Sequence, residues 1–144
     1  MKATEEDFSH LVKEEPNSIF LDENIVARFG GRITLSNALE YFSLSQFFIK
    51  DSINNICSIQ KVEFDSNRFN YKGVEYTMIS TEFNPYIICM SYRSSPNSTV
   101  KLRYYYCWEN GEVRQAPTLY GFISSNVKGI ARDLNKVMDI LKEE

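Results

Sequence analysis

Histidine is nearly absent from this chain: of 144 residues only His10 carries an imidazole. It sits beside acids on a short predicted N-terminal helix, which leaves no Ser-His-Asp or Cys-His machinery and no zinc site to build. Cysteine is scarce too, with three residues, Cys57, Cys89 and Cys107. Their spacing is not that of metal ligands and one is left over from any pairing. That pattern fits reduced thiols used as small buried hydrophobes in cytosol or nucleus. No apolar run approaches the roughly 18 residues of a membrane span. Residues 1–15 are acidic rather than basic and then apolar, so neither a signal peptide nor a membrane partner is expected. Basic excess is also missing. A net charge of −3 and an isoelectric point near 5.3 argue against direct binding of nucleic acid, which calls for a positive surface. No Lys/Arg cluster reads as a nuclear import signal. Gly30-Gly31 lacks the following Gly-x-Gly-x-x-Gly of a phosphate cradle and reads as a helix stop. The acids at Glu5, Glu6, Glu14 and Glu15 read as a solvated helix face, because acid–base work needs a carboxylate desolvated in a cleft.

What is present suits an ordinary globular core. Hydrophobic residues make up 43% and charged residues 24%, close to the globular average. A chain of this size buries roughly 68–70% of its unfolded surface. One domain over residues 1–144 is expected, with residues 1–16 as a peripheral helix.

The periodicity changes along the chain. Thr4 caps a short helix carrying Phe8, Leu11 and Val12, which Pro16 ends. Asp22 caps a turn or two through Ile25 and Phe29, with Gly30 as the left-handed stop. After Thr34, the residues Leu35, Ala38, Leu39 and Phe42 mark one helix face, with Tyr41 at its edge and Glu40 pointing away. Asp51 or Ser52 caps a second helix bearing Ile53, Ile56, Cys57 and Gln60. The linking Phe47-Phe48 pair is too apolar for water and is expected to lock the two helices together. From Val62 the pattern alternates. Val62 and Phe64 against Glu63 and Asp65 favour a strand over residues 61–66.

Three clearer strands follow. Val74, Tyr76 and Met78 form one face of the first. The second, from Tyr86 to Arg93, is apolar on both sides, as in a central strand. In the third, Val100, Leu102, Tyr104, Tyr106 and Trp108 read as the core face, leaving Lys101, Arg103 and Tyr105 wet. Asn110-Gly111 signals a two-residue hairpin that pairs this strand with residues 112–116. From Pro117 onward, apolar residues recur at threes and fours to Leu141, the stripe of a long amphipathic helix. The predicted fold class is α+β: short N-terminal helices, an antiparallel β-meander of four to five strands, and a long C-terminal helix packed on the sheet.

Certain residues are too particular to be filler. Leu39, Tyr41, Phe42, Ser45 and Phe47 follow Asn37 in an Asn-x-Leu-x-Tyr-Phe-x-x-Ser-x-Phe order. Asn54-Asn55 comes next, then Gly73-Val74-Glu75-Tyr76, the tyrosine run 104–106, Gly111, and Gln115-Ala116-Pro117. In order and spacing they resemble the Mediator subunit 6 family, over about residues 21–141. Two departures stand out. Gln46 occupies a position where the family often has Pro, and Met90-Ser91-Tyr92-Arg93-Ser94 replaces a basic run. The longer tail of many members is not among the 144 residues. For residues 61–66 the resemblance implies helix, against the alternation.

The resemblance implies a non-catalytic scaffold in the nucleus, without cofactor, in the head module of the Mediator coactivator. Its expected partners are other head subunits, 8 and 17 among them, and RNA polymerase II through its carboxy-terminal repeats. The motif residues are expected to be mostly structural. For partner contact the candidates are Lys101, Arg103 and Tyr105, extended by Arg93, because Tyr and Arg are favoured at interface hot spots. The rival reading is a ligand-binding or isomerase-like α+β domain with a cone-shaped pocket walled by Tyr76, Met90 and Tyr104.

Overall fold

A computed structural model describes residues 4–79 and 85–117. The chain opens with α1 (Glu5–Phe8) and a single 3-10 turn, Ser9–Leu11. At its start Asp7 accepts from the Thr4 backbone N–H at 2.8 Å, one limb of a capping box. β1 (Ile19–Phe20) and α2 (Glu23–Arg28) follow. The Asp22 side chain accepts from the N–H groups of Asn24 and Ile25, the cap expected of it. α3 (Ala38–Phe42) is shorter than the sequence pattern suggested, and α4 (Ile53–Gln60) is capped by Ser52. After α5 (Phe64–Asn67) come β2 (Gly73–Ile79), β3 (Tyr86–Ser95), β4 (Ser98–Cys107) and β5 (Val113–Gln115).

Residues 61–66 are not a strand. α4 ends with Lys61 in the left-handed region, φ 56°, while the Val62 N–H reaches the Cys57 carbonyl at 3.0 Å and the Lys61 N–H reaches Ser58. This Schellman closure reverses the chain. Glu63 returns to extended geometry and α5 begins. The two-residue alternation of Val62 and Phe64 therefore straddles a helix stop and a helix start.

The five strands form one antiparallel sheet in the order β1-β5-β4-β3-β2. β2 to β5 are a meander, and the two-residue β1, which no periodicity reveals, adds to the far edge. The β4–β5 hairpin has a three-residue loop rather than the expected two. Trp108 donates to the Glu112 carbonyl at 2.9 Å, Gly111 donates to the Trp108 carbonyl, and Gly111 has φ 97°.

The core lies between the helices and one sheet face. It joins Ile33, Ala38, Tyr41 and Phe42 to Val74, Tyr76, Ile88, Met90, Leu102, Tyr105 and Cys107. Phe42 is its hub, with ring centroids 5.2 Å from Tyr76 and 5.1 Å from Tyr105. Phe47 and Phe48 dock on the sheet rather than only clamping helix to helix: Phe47 meets Tyr105 at 5.3 Å and Phe48 meets Tyr76 at 5.2 Å. The three cysteines are free and buried. Burial pushes the Cys107 thiol up to about 12, so it stays protonated at neutral pH. The predicted long C-terminal helix lies outside the described residues. Among those described, no helix is long and apolar enough to cross a membrane.

Candidate partner interface

A one-residue irregularity decides which side chains face which way. Along β3 and β4, Met90 pairs with Arg103, but the next pair is Ser91 with Lys101. Leu102 is the extra residue of a β-bulge, and the alternation read from the sequence changes phase there. Tyr105 therefore lies against the helices, touching Phe42 and Phe47, and is only 2% exposed. Tyr104 and Tyr106, assigned to the core from the strict alternation, are buried as expected, but beside Cys89 and Ile87 on the opposite sheet face.

The expected wet row is thereby divided. Arg103 joins Tyr105 on the helix side and is buried. Its Nη1 donates to Glu14 Oε2 at 2.8 Å, to the Ala116 carbonyl at 3.1 Å and to the Pro117 carbonyl at 2.7 Å, while Nη2 reaches the other Glu14 oxygen. These bonds strap the N-terminal segment to the end of β5. The Arg103 hydrogen bond holds the Glu14 carboxyl below its ordinary range. Arg93 and Lys101 remain together on the other face, beside Glu75.

Each motif residue with a polar group has an internal partner. The Tyr41 hydroxyl donates to the Gly111 carbonyl at 2.6 Å and accepts from the Asp22 N–H at 3.1 Å, joining α3, the α2 cap and the hairpin. Burial raises the pKa of this phenol, which keeps it a donor at neutral pH. Tyr76 OH donates to the Phe47 carbonyl and accepts from the Ile49 N–H at 3.1 Å. Asn54 grips the backbone of Tyr76 twice, accepting its N–H at 2.8 Å and donating to its carbonyl at 2.9 Å. Asn55 donates to the Lys50 carbonyl, Ser45 accepts from the Phe47 N–H, and Gln115 bridges Lys13, Glu15 and Tyr105. Leu39 lines a groove between α3 and α4, and Gly73 opens β2 with φ 139°.

Glu75 is the exception in kind, a buried acid in an apolar strand. Arg93 Nε donates to it at 2.6 Å, and Arg68 Nη1 lies 3.5 Å from its other oxygen. Both guanidiniums pack on Phe69, at 4.8 and 5.0 Å from its centroid. Sequence reading missed Arg68, because it stands just past the helix that the alternation presented as a strand. The signal was Glu75 itself: an acid within a buried strand requires a cation.

Among the described residues, two surface grooves are each larger than a single side chain. One, about 380 Å³, lies between α3, α4 and α5 and is lined by Leu39, Phe48 and Phe64 with Glu40, Glu63 and Asp65. The other, about 340 Å³, contains Glu75, Arg68, Arg93 and Lys101. Among the described residues the three walls named for the cone-shaped pocket of the rival reading do not come together. Tyr76 and Met90 belong to the helix-side core, Tyr104 belongs to the other face, and the hollow beside Met90 and Tyr105 is about 90 Å³. Among the described residues no group of three His, Cys, Asp or Glu could hold a metal.

The family model described as MED6 mediator sub complex component matches residues 19–144. A subunit 6 of the Mediator of RNA polymerase II transcription from Candida albicans is 29% identical over 126 residues, covering 77% of this chain and 48% of that protein. Its counterpart from Caenorhabditis briggsae is 27% identical over 107 residues, covering 71% and 43%. The chain thus spans about half the length of the curated relatives it matches. Among solved structures, the Schizosaccharomyces pombe Mediator subunit Med6 superposes with a TM-score of 0.65 at 21% identity, covering 92% of this chain and 98% of that one. A chain of the Schizosaccharomyces pombe Mediator head module gives 0.62 at 20% identity, covering 90% of each.

Proposed function

The chain belongs to the Mediator subunit 6 family, and on that premise we propose that it is a non-catalytic scaffold subunit of the Mediator head module, working in the nucleus. In that role it helps couple RNA polymerase II to transcriptional regulation. The observation that carries the reading is where the motif residues spend their polar groups. Tyr41, Asn54, Tyr76 and Gln115 bond to backbone of other elements rather than converging on a cleft. Such residues hold a shape, and a scaffold works by offering shape to its neighbours. A standard stable interface buries about 800 Å² on each partner.

Head subunits 8 and 17 are the proposed neighbours, with the carboxy-terminal repeats of the polymerase close by. Lys101 is the interface candidate carried forward, beside a buried Arg93 that Glu75 and the Pro96 carbonyl hold inside. Arg103 and Tyr105 serve inside, by holding the N-terminal segment and the aromatic core. The test is co-expression. Alone the chain should be sticky or poorly soluble, and subunits 8 and 17 should bring it into a soluble complex. Monodisperse behaviour alone, with no binding to either subunit, overturns the reading.

A further inference from the structure

The sheet face opposite α3, beside the turn that follows α5, carries an unusual assembly of polar groups. At the β2-β3-β4 end, the 340 Å³ groove is lined by Arg68, Arg93 and Lys101, by the hydroxyl residues Thr77, Ser91 and Thr99, and by Glu75. Met78 is the one apolar side chain among the described lining residues. Among these described residues two guanidiniums, those of Arg68 and Arg93, share a single carboxylate. That carboxylate is 1% exposed and is held by both guanidiniums, so its charge is spent at the base of the groove.

The arginines are fixed in place. Arg93 is 5% exposed, and its Nη1 donates to the Pro96 carbonyl at 2.8 Å in addition to the Glu75 bond. Phe69 stacks on both guanidinium groups, and Phe64 lies 5.6 Å from that of Arg68. One donor is left over: Arg68 Nε is buried and has no hydrogen-bond acceptor. Buried donors without acceptors are rare in folded proteins, and a bound ion or water is one reason for them; Arg103 Nε is a second such donor, away from this groove. Preorganised guanidiniums with neighbouring hydroxyls are the donor set that suits an oxyanion. The groove has room for a phosphate or carboxylate together with the side chain that carries it.

We propose that this groove is an anion-binding site that receives a phosphoserine, phosphothreonine or acidic side chain from a partner polypeptide. Glu75 acts as the strut that splays the two arginines, and Lys101 lines the groove beside them. The inference goes beyond the scaffold reading and does not require it, since it concerns one groove and one ligand chemistry.

The test uses the full chain kept in solution by a solubility tag, with three fluorescein-labelled peptides of one sequence. The central residue is phosphoserine, glutamate or serine, and binding is read by fluorescence anisotropy. The phosphoserine peptide should bind and the serine peptide should not. Lys101→Glu and Arg68→Gln should each weaken binding at least tenfold, and inorganic phosphate should compete. Lys101→Glu alters a rim residue, so it remains informative even where Arg68→Gln harms folding. Binding of the glutamate peptide as well identifies an acidic partner; binding of phosphoserine alone identifies a phosphorylated one. Three results overturn the proposal: no binding by either anionic peptide, equal binding of the serine peptide, or equal loss in a remote charge reversal, Arg28→Glu. Head-subunit co-purification is measured separately, so the two readings can fail independently.

Discussion

The Tyr41 hydroxyl is a two-way bond, and removing it strands partners on two elements. In Tyr41→Phe the Gly111 carbonyl and the Asp22 N–H both lose it. A buried polar group left unpaired costs about 1–3 kcal/mol, and urea unfolding should show a loss in that range with an unchanged m-value. The glycine opposite is equally constrained. A Cβ at Gly111 would collide with Val26 and lie 2.9 Å from the Tyr41 oxygen, on a backbone with φ 97° that side chains rarely adopt. At the other end of the core, the Glu14–Arg103 pair sets a pH dependence. The folded carboxyl titrates below its unfolded value. Its contribution is therefore fully present above the unfolded pKa and is lost as pH falls through the folded one. Glu14 is 58% exposed, and solvent screening keeps the contribution under about 1 kcal/mol. Glu14→Gln should therefore lower stability at pH 7 by that amount, and the deficit should vanish as pH falls from about 5 to about 3, on the order of the span these carboxyl values cover.

Among the elements, β2 is the strand most in need of protection, because it is seven residues long and forms one edge of the sheet. Exposed edges invite pairing with other chains. Asn54 on α4 blocks this one by occupying both backbone groups of Tyr76, which is where the helix docks. Asn54→Ala should cost about 1–3 kcal/mol and should raise aggregation at equal folded fraction, read by light scattering. A loss of stability without that rise would leave the Asn54 bonds as anchors only. The helix elements show how local signals translate. Asp22 and Ser52 are caps by chemistry alone, because a side-chain oxygen next to free N–H groups suffices. The stretch 61–66 could not be read that way. Lys61 adopts the left-handed turn that usually marks glycine, so the residue type concealed the helix stop.

For the whole molecule, the decisive packing is aromatic. Phe42 contacts Phe48, Tyr76 and Tyr105 at once, so a single ring joins α3, the following loop, β2 and β4. Phe42→Ala should cost about 3–5 kcal/mol and should lower thermal and chemical stability together; a cost below about 1 kcal/mol would mean the core collapses readily around the gap. The α+β class, the cap positions, the antiparallel strands and the order of the motif residues were legible in the chain, because each depends on near neighbours or on a period of two or of three to four residues. The faces of β4 were not. One extra residue at Leu102 put Tyr105 against the helices and Tyr104, also buried, on the other sheet face, and nothing local to the strand encodes that insertion. The same holds for β1 and for the grouping of Arg68, Arg93 and Lys101. Local chemistry determines which segments become helix or strand and which residues can cap them. Only the folded sheet, by fixing registers between residues far apart in the chain, decides which charges become neighbours and which tyrosines meet the helices.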